Sequence, residues 1–483
     1  MVVAGAGEWN TGMATAWHVV SSVRDTPTPV TTPGRSTRAS TEGAGPRQKV
    51  SEAHSARARS DHAPPRCRAR RTTRGSAQIS CAQGDWLRDL EAMTISIGLF
   101  FGGRSVEHEV SVISALQASE ALDHKKYSVL PVYISKDGLL YAGKRLLDID
   151  GYRDMDSLLA ACHRVALVND GSGVLVVRYP PRILRSNVIG RVDVAFPIVH
   201  GTNAEDGTIQ GYLALLGIPY VGSDITASAI GMDKVLSKRL LRECGLPVVD
   251  WVDFFADGWH DSDAAIIERV TAELGEAVVV KPSSCGSSIG VMKVAAPDAL
   301  RSAIDTALAF SQHILVEKAV PNMREVNCAV LGDRSSVEVS ECEEPLGGRA
   351  DEILSFADKY LHKSSSSGMK GGARELPANL SPDTRETIRS YAEKAFRCLG
   401  CSGVARVDFL LDEDSGRVYL NELNTIPGSL SFYLWEATGM SFAELTERLI
   451  GLALKRHRER SRLTFTYDTN IFALQGDKMR AKL

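Results

Sequence analysis

Arg406, Asp408, Glu422 and Asn424 fall at even positions of one stretch, GVARVDFLLDEDSGRVYLNELNTIPG, residues 403–428. The stretch reads as two strands joined by a tight turn at 412–416. If the turn closes symmetrically, facing residue numbers sum to an even value. Even positions then share one face, because side chains alternate along a strand. Two carboxylates, an amide and a guanidinium converge there, while Val407, Phe409, Tyr419 and their aliphatic neighbours form the core side. Oxygen donors of this kind suit Mg²⁺, which keeps several waters and completes its shell with phosphate oxygens. A merely solvated hairpin face would be richer in Lys and Thr.

A second constellation supplies the phosphate side. The run VVV ends at Lys281-Pro282, and Ser283-Ser284-Cys285-Gly286-Ser287-Ser288-Ile289-Gly290 follows. Glycines let a backbone approach an anion, and free N–H groups cradle phosphate. The G-x-x-x-x-G-K-[ST] pattern of a Walker loop is absent. The order lysine, flexible loop, next strand makes the loop a flap between strands; a plain hairpin turn is the alternative. Cys285 is an exposed thiol with no neighbouring His to activate it. Further on, ILSFADKYLHKSSSSGMKGGAREL (353–376) is long enough to be a lid or a disordered loop, with Lys359 and Tyr360 at its inner edge. In GLFFGGRSVEHEVS, Ser105 is placed to cap a helix and Glu107 lies at the mouth of the sheet, where open α/β sheets bind ligands. His200 ends a buried strand, a position that suits a core or turn histidine.

These groups need a frame, and the chain offers one. Residues 1–92 are rich in Arg, Ser, Thr, Ala and Pro and poor in apolar periodicity, so they read as a disordered or mis-started extension ahead of Met93. From there strands alternate with helices, as in an α/β fold. An N-terminal open sheet spans 93–225, a central portion 226–316, and a C-terminal portion 317–456 of α+β character; 457–483 is a tail. Helices are expected at 232–244, 261–274, 298–310 and 382–399. The chain's 483 residues carry a net charge of −3 and are 24% charged, which argues against a nucleic-acid surface. No apolar run is long enough for a membrane span. Nine cysteines, an odd and scattered set, fit reduced thiols better than a disulfide framework. The C-x-x-C spacing at Cys398 and Cys401 falls at a helix end and carries little redox weight.

Taken together, the blocks FFGGRSVEHEVS, HGTNAEDGTIQG, GIPYVGSD with MDK, VVVKPSSCGSSIG, VEKAV with Glu325, DKY, and GVARVDFLL with NELNTIPG resemble the D-alanine–D-alanine ligases of the ATP-grasp fold, from about Met93 to Leu454. The resemblance implies ATP-dependent joining of two D-alanines through an acyl phosphate, for peptidoglycan precursors and hence cell-wall biogenesis and cell shape. It implies Lys234, Lys281 and Lys359 on ATP phosphates, Glu317 and the backbone of Lys318, Ala319 and Val320 on adenine, and Glu325 on the ribose. Asp408, Glu422 and Asn424 would hold two Mg²⁺ or Mn²⁺ ions. Glu107 would take the ammonium of the first D-alanine, in a network with Ser287 and Tyr360. Arg406 and the Gly428 N–H would face the developing oxyanion, and His200 would line the substrate site. The resemblance further implies a cytoplasmic homodimer acting on small molecules.

One departure concerns the second substrate. Many members of that family carry a serine and a leucine where a straight count places Tyr433 and Leu434, and that serine helps hold the second substrate's carboxylate. Here Tyr433, or a shifted Ser431, must do so. Tyr360 favours dipeptide over D-lactate products. The alternatives are D-alanine–D-serine or D-alanine–D-lactate ligation, or a catalytically silent nucleotide-binding relative. A nicotinamide enzyme, suggested by FFGG alone, lacks the third glycine.

Overall fold

The fold, from a computed structural model, is described for residues 94–346 and 374–467, all within one compact unit, Cys81–Leu483. Its first sheet has seven strands: β1 (Ile95–Gly102), β2 (Tyr127–Ile134), β3 (Leu140–Ala142), β4 (His163–Asn169), β5 (Val174–Arg178), β6 (Val188–Val192) and β7 (Val194–Val199). Their order is β6-β5-β4-β3-β2-β1-β7. The sheet is parallel only at β2-β1-β7; β3 to β6 pair antiparallel. Short connections between successive outer strands permit antiparallel pairs, whereas parallel neighbours need a crossover. Helix α1 (His108–Ala121) supplies the β1–β2 crossover, and a small helix, α2 (Met155–Ala160), lies beyond β3. Ser105 does not cap α1. Glu107 occupies the N-cap position, and the Ser105 hydroxyl instead donates to the His200 carbonyl at 2.6 Å.

After α3 (Thr208–Leu215) comes a helix the sequence reading did not name, α4 (Ile225–Met232), and the helix expected over 232–244 follows as α5 (Lys234–Glu243). Asp233 breaks them with extended backbone and caps α5, its carboxylate accepting from the N–H groups of Val235 and Leu236. The same carboxylate accepts from Ser283 Oγ, and Lys234 N donates to Ser283 O at 2.9 Å. The start of α5 is thereby fastened to Ser283.

The central sheet contains β8 (Trp251–Phe255), β9 (Val278–Pro282), β10 (Met292–Val294) and β11 (His313–Lys318), antiparallel in the order β10-β9-β11-β8. Helices α6 (Ala256–Leu274) and α7 (Pro297–Leu308) pack on it. α6 starts earlier than expected because two helical pieces join at Ser262, whose φ of −158° is not helical.

The third sheet is antiparallel, β14-β13-β12-β15-β16, from β12 (Met323–Gly332), β13 (Val337–Pro345), β14 (Arg374–Glu375), β15 (Gly403–Asp412) and β16 (Arg417–Asn424). Helix α8 (Pro382–Leu399) covers one face with Ile388, Ala392, Ala395 and Phe396. Ser381 caps its start, and Gly400 ends it in the left-handed region. Helices α9 (Phe432–Thr438) and α10 (Phe442–Arg460, with a Ser441–Glu444 capping box) complete the fold. Residues 463–467 form no strand, and 468–483 lie outside the described residues. Among the described residues no helix is long and apolar enough to cross a membrane.

Two expectations are corrected here. Cys244, at the end of α5, and Cys398, in the last turn of α8, are joined in a disulfide. The two helices pack together, bringing these positions side by side, while Cys401 turns into the core. The β15–β16 ladder is also not symmetric throughout. Arg406 faces Asn424 and Asp408 faces Glu422, but Phe409 faces Leu420, leaving Asn421 as an extra residue in a bulge. The parity of β16 changes there. Leu423, Leu420 and Val418 point into the core, and Tyr419 does not.

Candidate active site

The register of the third sheet lines polar groups in a row across four strands. Glu422 on β16 faces Asp408 on β15, Asp408 faces Asn327 on β12, and Asn327 faces Glu343 on β13. Asn424 Nδ2 donates to Asp408 Oδ2 at 3.1 Å. Arg406 binds the same carboxylate through Nε and Nη2, each at 2.7 Å. Asn327, with its amide turned to satisfy its neighbours, donates to Asp408 Oδ1 at 3.3 Å. The Asp408 partnership drives the Arg406 pKa up against the downward push of burial, so this guanidinium stays charged.

Opposite the row stand the lysines. Lys281 at the end of β9 places Nζ 3.0 Å from Asn421 Oδ1, so the bulge residue receives it. Its ammonium also pairs with Glu317 at 2.6 Å, and Lys238 pairs with the other Glu317 oxygen at 2.6 Å. Burial alone would lift the Glu317 pKa, but Lys238 and Lys281 together hold it at about 2. The Lys281 pKa is raised, Glu317 outweighing burial. Lys234 donates to the Cys285 carbonyl at 2.7 Å and lies 3.3 Å from Glu422 Oε2. A cleft between the two antiparallel sheets is lined by Lys234, Lys281, Glu317, Lys318, Ala319, Val320, Glu325, Asn327, Asp408, Asn421 and Glu422, with Val279, Met323, Phe409 and Leu410 as apolar walls. It thus gathers the sequence-predicted Lys234, Lys281, Glu317 to Val320, Glu325, Asp408 and Glu422 in one place, with Asn424 one hydrogen bond away through Asp408. Cys285 is half-buried, its thiol pKa pushed up by burial.

At the other end lies Glu107, 4% exposed. Ser287 of the flap bonds its carboxylate, but burial outweighs this and raises its pKa. Gly201 and Gly286 flank it: a Cβ at Gly201 would fall 2.1 Å from Oε2, and one at Gly286 2.9 Å from Oε1. Ser287 and Ser288 hold φ values of 54° and 57°, bending the flap toward Glu107. Glu205, from the HGTNAEDG block, accepts from Gly201 N at 3.0 Å and Ile426 N at 3.3 Å. Burial first, and the charges of Glu107 and Glu422 in addition, push its pKa up to about 8. His200 is fully enclosed. Nδ1 donates to Ile426 O at 2.8 Å, and Nε2 accepts from Ser114 Oγ at 3.0 Å. Burial lowers its pKa to about 4. It therefore steadies the loop after β16 as a neutral ring.

That loop carries Ser429, Leu430 and Ser431 in succession at φ values of 50°, 54° and 51°. Ser429 N donates to Ser114 Oγ, and Ser429 Oγ to Gln117. Ser431 is buried with its hydroxyl unpartnered among the described residues. The Leu434 side chain is wholly in the core. Tyr433 is buried too, its hydroxyl donating to Glu343 Oε1 at 2.7 Å. The phenol is committed to that carboxylate, contrary to the expectation that it grips a substrate. Gly428 opens the turn before these residues. Lys359 and Tyr360, with lid residues 353–373, lie outside the described residues.

Sequence reasoning missed Lys238, Asn327, Asn421, Glu205 and Glu343. Two had a readable signal. Lys238 interrupts the buried α5 stripe of Val235 and Leu241, and Asn327 shares a strand face with Glu325 at spacing two. Asn421 had none, because a bulge does not announce itself in alternation.

Two antiparallel sheets closing on a lysine- and carboxylate-lined cleft, beside an α/β sheet, form the ATP-grasp arrangement. Residues 96–223 match the family model for the D-ala D-ala ligase N-terminus, and residues 240–451 that for the C-terminus. The D-alanine–D-alanine ligase of Thermosipho melanesiensis is 37% identical over 384 residues, covering 80% of this chain and all of that one. That of Geobacillus thermodenitrificans is 36% identical over 383 residues, with 78% and 100% covered. Among solved structures, the D-alanine–D-alanine ligase of Coxiella burnetii superposes with a TM-score of 0.63 at 28% identity, covering 76% of this chain and 96% of that one. The VanG D-Ala:D-Ser ligase of Enterococcus faecalis gives 0.62 at 30%, with 75% and 100% covered. The chain belongs to the D-alanine–D-alanine ligase family.

Proposed function

We infer that this protein joins two D-alanines at the expense of ATP. The observation that carries the reading is the facing of Asp408, Glu422 and Asn424 by Lys234 and Lys281, with Glu107 bonded to the flap beside them. A carboxylate is a poor acyl donor, so its oxygen first attacks the γ-phosphorus and ADP leaves. The amine of the second amino acid then attacks the acyl phosphate carbon, phosphate leaves, and the amine gives up a proton. Lys234, Lys281 and Lys359 bind the phosphates; Glu317, Lys318, Ala319 and Val320 receive adenine and Glu325 the ribose. Glu107 takes the first ammonium, while Arg406 and the Gly428 N–H stabilise the oxyanion. The 353–376 lid, with Tyr360, excludes water that would hydrolyse the acyl phosphate.

The donor set fits Mg²⁺ or Mn²⁺ that arrives with the nucleotide. Among the described residues no group of three His, Cys, Asp or Glu side chains is arranged to hold a metal ion by itself. Two carboxylates and an amide in register leave the remaining positions to phosphate and water. Asp408, Glu422 and Asn424 would hold the ions, which neutralise phosphate charge when bound. We place the domain boundaries near 225 and within 319–322, since β11 continues to Lys318. Action in the cytoplasm, in a homodimer, on peptidoglycan precursors completes the reading.

The test is product identification from purified protein with ATP, Mg²⁺ and a panel of D-amino and D-hydroxy acids. D-alanyl-D-alanine with stoichiometric phosphate is expected. Preferential D-Ala-D-Ser or D-Ala-D-lactate would reassign the second substrate, and no phosphate release with D-alanine would overturn the reading.

A further inference from the structure

The polar row does not stop at the reacting centre. Beyond Asp408 and Asn327 it reaches Glu343, which is 3% exposed. Glu343 Oε1 accepts from the Tyr433 hydroxyl at 2.7 Å, and Oε2 accepts from Arg374 Nη1 at 3.2 Å. The Arg374 guanidinium carbon lies over the Tyr433 ring, 4.0 Å from its centroid. Arg374 itself heads β14, its backbone paired with Pro345. The Tyr433 phenol feels the charges of both Arg406 and Arg374.

The two amino acids of a ligation make opposite demands. The first exposes its carboxylate to ATP and is gripped by its ammonium, for which Glu107 is suited. The second must keep its amine bare to attack, so its anchor is its carboxylate. A carboxylate taken out of water needs a cation with hydrogen bonds to offer, and a guanidinium presents five N–H donors in a planar fork. Arg406 already spends Nε and Nη2 on Asp408. The Tyr433 hydroxyl is spent on Glu343. We propose that Arg374, held in place by Glu343 and the Tyr433 ring, binds the carboxylate of the second amino acid. This rests on the ligase reading above. It makes Tyr433 and Glu343 positioning residues, and it accounts for a tyrosine where related chains carry serine: the ring is a floor for the arginine.

The experiment uses the full chain with ATP, Mg²⁺ and D-alanine, and compares D-alanine with neutral D-alaninamide as acceptor. Acyl phosphate formed from the first D-alanine is trapped separately with hydroxylamine. Arg374→Met is expected to raise KM for the second D-alanine by about 30-fold or more, as for a lost charge-assisted pair. It should leave hydroxamate formation within about twofold and abolish the preference for D-alanine over the amide, with Arg374→Lys restoring part of it. Tyr433→Phe, which keeps the ring and loses the hydroxyl, should raise the same KM several-fold, and serves if Arg374→Met does not fold. Retention of the D-alanine preference in Arg374→Met, or an equal loss of hydroxamate formation, would overturn the assignment while leaving the ligase intact. Absence of hydroxamate in the unaltered protein would instead overturn the ligase reading, and this assignment with it.

Discussion

Replacing Lys238 with Met isolates one arm of the buried Lys238–Glu317–Lys281 triad. Glu317 has an ordinary pKa of 4.5 that the two lysines bring to about 2. That depression corresponds to roughly 3 kcal/mol of folding stability at neutral pH. The sign follows from the direction: the contribution is present above pH 4.5 and is lost as the pH falls through about 2. Lys238 is 1% exposed and burial pushes its own pKa down, so its removal also relieves a desolvation cost. Lys281 stays to pair Glu317. The net loss expected for Lys238→Met is therefore about 2 kcal/mol, below the 3–5 kcal/mol for breaking an isolated buried pair. Urea unfolding at pH 7 measures it. Combining Lys238→Met with Glu317→Gln should return a coupling of at least about 1 kcal/mol, and the gap between parent and variant should narrow below pH 4.5. A loss under about 0.5 kcal/mol, within the range of an ordinary surface change, would refute the idea that Lys238 holds Glu317.

Arg406→Ala should lower turnover at least about a hundredfold, the scale of losing an oxyanion donor, while ATP binding measured by calorimetry persists. Gly201→Ala places a methyl 2.1 Å from Glu107 Oε2 at a φ of +77°. The apparent KM for the first D-alanine should rise tenfold or so with a modest shift in Tm, as for one strained site. His200 has its pKa lowered to about 4 from 6.5, so its stability contribution is full above 6.5 and fades as the pH falls toward 4. His200→Gln should remove up to ~3 kcal/mol of acid sensitivity over that window; an unchanged acid profile would show that the ring is not a buried neutral base.

Much of the site was legible because its chemistry obeys local periodicity. Asp408 and Glu422 face each other as strand alternation requires, and Lys281 leaves a buried strand directly before a Ser/Gly flap. What escaped was non-local or broke a period. The helix Ile225–Met232, which ends at Asp233 just before α5 begins, was not read from the sequence. The Cys244–Cys398 bridge joins residues 154 apart, and nothing in their spacing marks them as neighbours. Tyr433 reads as a substrate contact until Glu343 and Arg374, from other segments, are seen to occupy it.

The single extra residue at Asn421 has a further meaning. A regular strand presents every second side chain to a given side, so it can offer either Asn421 or Glu422 to the cleft, never both. The bulge lifts that restriction without disturbing Leu420, Val418 or Leu423 beneath it. Deleting Asn421 would bring the ladder into one register on both sides. Lys281 would then lose the amide oxygen that receives it, while the core residues kept their places.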